Sequence, residues 1–202
     1  MKDKLKRVVE NNPKKIKILK DDHRSLVYTF SFENRIYVYK EPKEKNRRKW
    51  QKILSIFRGR ESKREYKQME KILNLGLKTA IPIFYTKDYL IYEFVKGTKP
   101  KESDLDLVIE TLKKIHSLGY LHGDSHLDNF IIDEKNEIYI IDSKFQKNKY
   151  GKFGEMFELM YLEESVSRVI VFEKKNIYYE GASLLRKYLT FLSKLKNIIR
   201  RR

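Results

Sequence analysis

The segment YLHGDSHLDNFIIDEKNEIYIIDSK, residues 120–144, decides how this chain is read. Two short apolar runs, FII at 130–132 and EIYIID at 137–142, flank the polar turn DEKN. Apolar runs of this length, bounded by turn formers, read as the two strands of a hairpin. Asp124 and Asn129 precede the first strand, and Asp142 closes the second. The strands of a hairpin run antiparallel, so Asn129 and Asp142 are expected at the same end.

Around this segment the chain is mainly helical. DLDLVIETLKKIHSL (104–118) places Leu105, Val108, Ile109, Leu112 and Ile115 at helical spacing and stops near Gly119. A second helix is expected over 153–170, and ASLLRKYLTFLSKLKNIIRRR (182–202) reads as an amphipathic helix with a basic end. The N-terminal part differs. IKILK (16–20), SLVYTFSF (25–32) and RIYVYK (35–40) read as strands, and the last alternates Ile36, Val38 and Lys40 against Tyr37 and Tyr39, as a sheet with one covered face does. A basic helical stretch over 43–75, broken near Gly59, ends in ESKREYKQMEKILNLG with Tyr66, Met69, Ile72 and Leu73 on one face. AIPIFYTKDYLIYEFV (80–95) gives two more strands around TKD. The expected organisation is α+β: a small antiparallel sheet with a helix in 1–95, then a mainly helical part in 96–202.

Composition narrows the classes. The chain has 202 residues, 41% of them hydrophobic, enough for a real core, and no cysteine, hence no disulfide framework, thiolate metal site or thiol nucleophile. No apolar run approaches the ~20 residues that span a bilayer. MKDKLKRVVENNPKKIKILK lacks the apolar centre of a signal peptide. A cytoplasmic protein is expected, with contact to the inner face of the inner membrane as an extension. The net charge of +17 predicts attraction to an anionic partner without choosing among nucleic acid, acidic lipid and a phosphorylated substrate. The basic residues are spread over the whole chain, as in any lysine-rich composition.

Asp, Asn and Asp at this spacing suit phosphoryl transfer from ATP. That reaction needs a carboxylate to orient the attacking hydroxyl and accept its proton, oxygen ligands for Mg²⁺, and a lysine on the phosphates. Asp124, in a loop opened by His122 and Gly123, supplies the base. Asn129 and Asp142 supply the metal ligands, held apart by the hairpin. Lys40 ends a strand, and Glu65 on the next helix can pair with it, although Glu61 competes for that role. His122 is expected to pack the loop rather than ionise, His126 to stiffen it, and His116 to be a satisfied core histidine.

The order strand-lysine, helix-glutamate, HGD-x-x-x-x-N, then ID resembles the protein-kinase-like superfold. IHSLGYLHGDSHLDN is similar to the HGD loop of atypical and small-molecule kinases. The small size, REYKQMEKILNLG and HGDSHLDNF look most like the lipopolysaccharide core heptose(II) kinase family. The resemblance covers roughly residues 16–170. It implies a two-lobed fold with ATP in a cleft, a shortened helical C-lobe, ATP and Mg²⁺ as cofactors, and a heptose of the lipopolysaccharide inner core as acceptor. It also implies that the backbone of Glu93, Phe94 and Val95, in YEFVKG, meets adenine. The sequence departs from protein kinases in three places. The first strand-to-strand loop, LKDDHRSL, has no glycine, which leaves His23, Arg24 and Ser25 near the phosphates. The DFG position reads Asp142-Ser143-Lys144. No APE follows Asp142. These departures favour a small or glycan acceptor over a regulated protein substrate.

Three other functions compete. An atypical serine/threonine protein kinase also uses an HGD loop and a basic surface. A phosphotransferase for a free cation, such as an aminoglycoside or choline, would need an acidic acceptor pocket. A non-catalytic nucleic-acid-binding protein would use the charge alone, but no defined nucleic-acid motif is present and none is expected as partner. An anionic or lipid-linked glycan acceptor would give the charge a use. Two basic amphipathic stretches, 43–60 with Trp50 and the final helix with Leu184, Leu185, Tyr188 and Leu192, have the composition of peripheral membrane contacts. For the final helix the favoured expectation is that its apolar face packs on the C-lobe.

Overall fold

The computed structural model describes residues 2–11, 13–43, 60–166, 170 and 176–200, with side chains of the last helix described to 192. The expected helix over 43–60 and its Trp50 surface lie, between 44 and 59, outside the described residues. The chain divides into two compact units, Met1–Lys96 and Gly97–Arg202.

The first unit is a five-stranded sheet in the order β1-β2-β3-β5-β4, with antiparallel neighbours throughout. Its strands are β1 (Lys15–Asp21), β2 (Ser25–Phe32), β3 (Arg35–Pro42), β4 (Pro82–Tyr85) and β5 (Leu90–Glu93). The β2–β3 turn places Glu33 and Asn34 at φ 46° and 60°, the positive-φ pair of a tight two-residue hairpin. Helix α1 (Lys2–Glu10) was not expected from the sequence. It buries Leu5 and Val9 against an aromatic sheet face made by Tyr28, Phe30 and Tyr37. Helix α2 (Glu61–Asn74) covers the opposite side through Met69, packed with Ala80 and Leu90. The sheet is therefore covered on both faces rather than one, and adjacent residues Tyr37 and Val38 are 1% and 2% exposed.

The second unit contains α3 (Leu105–Ser117), the β6 (Tyr120–Leu121) and β9 (Gln146–Lys147) pair, the β7 (Phe130–Ile132) and β8 (Ile138–Ile140) hairpin, α4 (Lys152–Glu163) and α5 (Ile177–Arg200). One face of α3 buries Leu105, Val108, Leu112 and Ile115 completely, as its periodicity predicts. The hairpin turn is closed by Asp133, whose carboxylate accepts from the amides of Lys135 and Glu137, both at 2.9 Å. Thr98 and Ile132 exchange two backbone hydrogen bonds of 2.9 Å.

Three expectations change here. The helix expected over 153–170 ends at Glu163, and the last helix starts at Ile177 rather than near 182. The last helix also packs with its other side inward. Ala182 is fully buried and Arg186 donates to the Met160 carbonyl at 2.7 Å, whereas Leu184 and Tyr188 are 72% and 57% exposed. The guanidinium lies over the Tyr161 ring, 5.5 Å from its centre, and takes the place an apolar side chain was expected to fill.

Candidate active site

The hairpin register fixes the geometry of the second unit. Phe130 pairs with Ile140, and the amide of Ile141 donates to the Asn129 carbonyl at 3.0 Å. This puts Asn129 next to Ile141 and one residue from Asp142, at one end of the two strands. Asn129 then uses its side-chain nitrogen on the Asp124 carbonyl, at 2.7 Å. With the amide nitrogen used there, the oxygen is the acceptor end of the Asn129 side chain. Asp124, Asn129 and Asp142 thus belong to one hydrogen-bonded framework. Asp142 is exposed, and the Asp124 side chain is 27% exposed.

The loop 122–126 is held from beneath by Glu158 of α4. Its carboxylate accepts from the amides of His122 (3.0 Å) and Gly123 (2.6 Å) and pairs with His116 Nε2 (2.8 Å). The Ser125 hydroxyl donates to the Glu158 carbonyl at 2.8 Å. A carboxylate that is 5% exposed is tolerable only with such partners. His116 is therefore a buried, satisfied histidine, and its partner is this clamp. Sequence reading did not single out Glu158. Its signal was an acidic residue on a helix side shared with Gly154 and Leu162, both inward-facing.

His122 is fully buried beside the Phe130 ring, 4.7 Å between centres. Its Nδ1 accepts from the Asp124 amide at 3.3 Å. Burial pushes its pKa down to about 4, so it is neutral and structural. His126 packs on Tyr161, 4.9 Å between ring centres, with Nε2 3.9 Å from an Asp124 carboxylate oxygen. Gly123 is required twice. Its φ is +80°, and a Cβ there would stand 2.6 Å from the Lys144 carbonyl oxygen.

Lys144, also not singled out, donates from Nζ to Asp124 Oδ2 at 2.8 Å. This hydrogen bond is the main reason its pKa is raised. A cavity of about 480 Å³ adjoins the same aspartate. Its walls include Leu121, Phe153, Phe157, Tyr161 and Leu189, with Asp124 and Ser125 on its lining.

The first unit holds the other expected residues. Lys40 faces α2 and donates to Glu65 at 2.6 Å, with both side chains 15% exposed. Of the two acidic candidates on α2, Glu65 is the one paired to Lys40, while Glu61 is exposed. The amides of Glu93 and Phe94 already donate to Ile81 and Ile36, at 2.9 and 3.0 Å. Among the described residues, Val95 is the one of the expected trio whose N–H makes no such bond. The glycine-free β1–β2 loop is closed by Asp22, which accepts from the amides of Arg24 and Ser25, both at 2.8 Å. These bonds hold the Asp22 carboxyl below its usual range and occupy two amides that were expected near a phosphate.

No protein-family model matches the chain. It is 29% identical over 127 residues to the RIO-type serine/threonine-protein kinase Rio2 of Methanocaldococcus jannaschii, covering 56% of this chain and 45% of that one. It is also 29% identical over 121 residues to serine/threonine-protein kinase PknD of Chlamydia trachomatis, covering 59% of this chain and 12% of that one. The chain thus spans less than half the length of these curated relatives. The Rio2 kinase–ADP/Mg²⁺–phosphoaspartate complex from Chaetomium thermophilum superimposes with a TM-score of 0.55 at 14% identity, over 88% of this chain and 63% of that one. The fold is protein-kinase-like. The expected α+β architecture, with an antiparallel N-terminal sheet followed by helices, is the one found. Within this kinase-like fold, Asp124, Asn129 and Asp142 are the acidic and amide groups that the hairpin and its preceding loop bring together.

Proposed function

We propose that this chain is an ATP- and Mg²⁺-dependent phosphotransferase whose acceptor is a sugar hydroxyl, with a heptose of the lipopolysaccharide inner core as the specific reading. One observation carries the phosphotransfer reading: Asn129 bonds Asp124 through its amide nitrogen and stands beside Asp142 through the hairpin register. A base and two oxygen ligands are thereby linked through the backbone. The donor set fits a hard cation, because Asn129 keeps its oxygen and Asp142 its exposed carboxylate. Asn129 and Asp142 would hold magnesium, which would supply positive charge to neutralise the phosphates. Asp124 orients the acceptor hydroxyl and takes its proton. Lys40, held by Glu65, bears on the α- and β-phosphates, and the Val95 amide meets adenine.

The surroundings of Asp124 weigh on the acceptor. The cavity wall is apolar and aromatic, Glu158 is spent on the loop amides, Lys144 pairs with Asp124, and Arg186 pairs with Glu164. Among the described cavity-lining residues the two carboxylates, Asp124 and Glu158, are both paired, which favours a neutral or anionic alcohol over a cation such as an aminoglycoside. The family-level part, a heptose, rests on the sequence resemblance of REYKQMEKILNLG and HGDSHLDNF. A second reading, an atypical serine/threonine protein kinase, is favoured by the Rio2 and PknD similarities. Among the described residues no helix is long and apolar enough to cross a membrane.

Thermal unfolding with Mg²⁺ and ATP tests the site. A ligand that binds the native state raises the midpoint by mass action. The wild type should shift and Asp142→Ala should not. No shift in wild type at millimolar ATP would sink the reading. Labelled ATP with dephosphorylated lipopolysaccharide core, beside a generic protein substrate, then separates the two acceptor classes.

A further inference from the structure

Lys144 stands out because its two halves behave differently. Its backbone is fixed to the loop that carries Asp124. The Lys144 amide donates to the His122 carbonyl at 3.0 Å, and its own carbonyl lies where a Cβ on Gly123 would stand 2.6 Å away. Its side chain, in contrast, is 74% exposed, and its ammonium sits 2.8 Å from Asp124 Oδ2. An exposed ion pair of this kind adds little to stability. Stability therefore does not account for a lysine anchored this firmly beside the candidate base. Its neighbours there are His126, 3.9 Å from the other Asp124 oxygen, and Tyr161, packed on the His126 ring.

We propose that Lys144 is a further catalytic residue, a cation handed from the base to the transferred phosphoryl group; this rests on the phosphotransferase reading. The acceptor oxygen forms a bond to the γ-phosphorus as the bond from phosphorus to the bridging oxygen of ADP breaks. The acceptor proton passes to Asp124, whose negative charge is thereby cancelled. Lys144 loses its partner at the moment when negative charge is spread over the phosphoryl oxygens. Its ammonium, on a fixed backbone two residues beyond Asp142, turns to meet them. A positive group that is pre-placed but engages only then stabilises the transition state more than the ground state.

The test is binding rather than turnover, so it needs no acceptor. Full-length wild type, Lys144→Met and Lys144→Arg are titrated with Mg-ATP and with Mg-ADP plus aluminium fluoride, a mimic of the transferring phosphoryl. Lys144→Met should bind Mg-ATP within about threefold of wild type but lose roughly 10² of the additional affinity for the aluminium fluoride complex. Lys144→Arg should recover part of it. Equal loss for both ligands, full retention of the aluminium fluoride affinity, or no additional affinity in wild type would each overturn the proposal while leaving wild-type Mg-ATP binding, and the phosphotransferase reading, in place. Absence of any Mg-ATP binding in wild type is a different result: it would remove the phosphotransferase reading and this proposal with it.

Discussion

At the scale of single residues, the loop 122–126 is fixed from beneath by the Glu158 carboxylate and by a buried, neutral histidine. His122 is fully buried, and burial holds its pKa near 4, against an ordinary value of 6.5. The unfolded chain binds a proton at this residue below about 6.5, while the folded chain binds it only below about 4. Between those values the unfolded state carries more protons, so stability falls as pH falls. The loss is on the order of 3 kcal/mol across that window. Urea unfolding at a series of pH values should show this slope in wild type and a flatter one in His122→Asn. Identical slopes would mean that His122 is not buried in its neutral form. Neighbouring residues were unequally legible. The placement of Asn129 and Asp142 at one end of the hairpin, with Asp124 in the loop before it, could be read because it follows from a local strand-turn-strand pattern. Glu158 and Lys144 could not. The contact of Glu158 with the loop spans 35 positions, and that of Lys144 with Asp124 spans 20. Neither has a periodic or local signal.

At the scale of elements, strands and helices with strong patterns were legible, and elements defined by tertiary context were not. β2, β3, α2 and α3 lie where aromatic, β-branched and i, i+3, i+4 patterns place them. The pair β6–β9 has two residues in each strand, too few for any pattern. Helix α1 has two buried apolar positions in a lysine-rich nine-residue segment, so its sequence looks like a solvated arm. Short helices of this kind are not stable alone and depend on packing. The sheet face of Tyr28, Phe30 and Tyr37 supplies that packing. Leu5 is fully buried in it, so Leu5→Ala should cost about 3 kcal/mol. Urea unfolding measures the cost, and a change below about 1 kcal/mol would show that α1 does not form part of this core. The inverted last helix follows the same rule. Its apolar face was legible, but which face would meet α4 was decided by Arg186, whose stem and guanidinium cover Tyr161 and reach the Met160 carbonyl.

At the scale of the whole molecule, the charge of +17 is uneven, with +14 on residues 1–96 and +3 on residues 97–202, and by itself it names no partner. It has two separable consequences. Like charges repel in the compact state, so added salt should stabilise the chain by screening them. The same charge attracts any polyanion, and that attraction is released as counterions return, giving a steep salt dependence. A nucleotide bound as proposed, through metal and hydrogen bonds, would be held by short contacts and screened far less. The two kinds of binding can be told apart in one experiment. Unfolding midpoints are measured from about 0.05 to about 0.5 M NaCl, alone, with Mg-ATP and with a single-stranded oligonucleotide. The free protein's midpoint should rise with salt. The shift produced by the oligonucleotide should vanish over that range, whereas the shift produced by Mg-ATP should persist. If the Mg-ATP shift decays as steeply as the oligonucleotide shift, nucleotide is bound by diffuse charge alone. The arrangement of Asp124, Asn129 and Asp142 would then have no bearing on it, and the nucleic-acid-binding alternative would gain what the phosphotransferase reading loses.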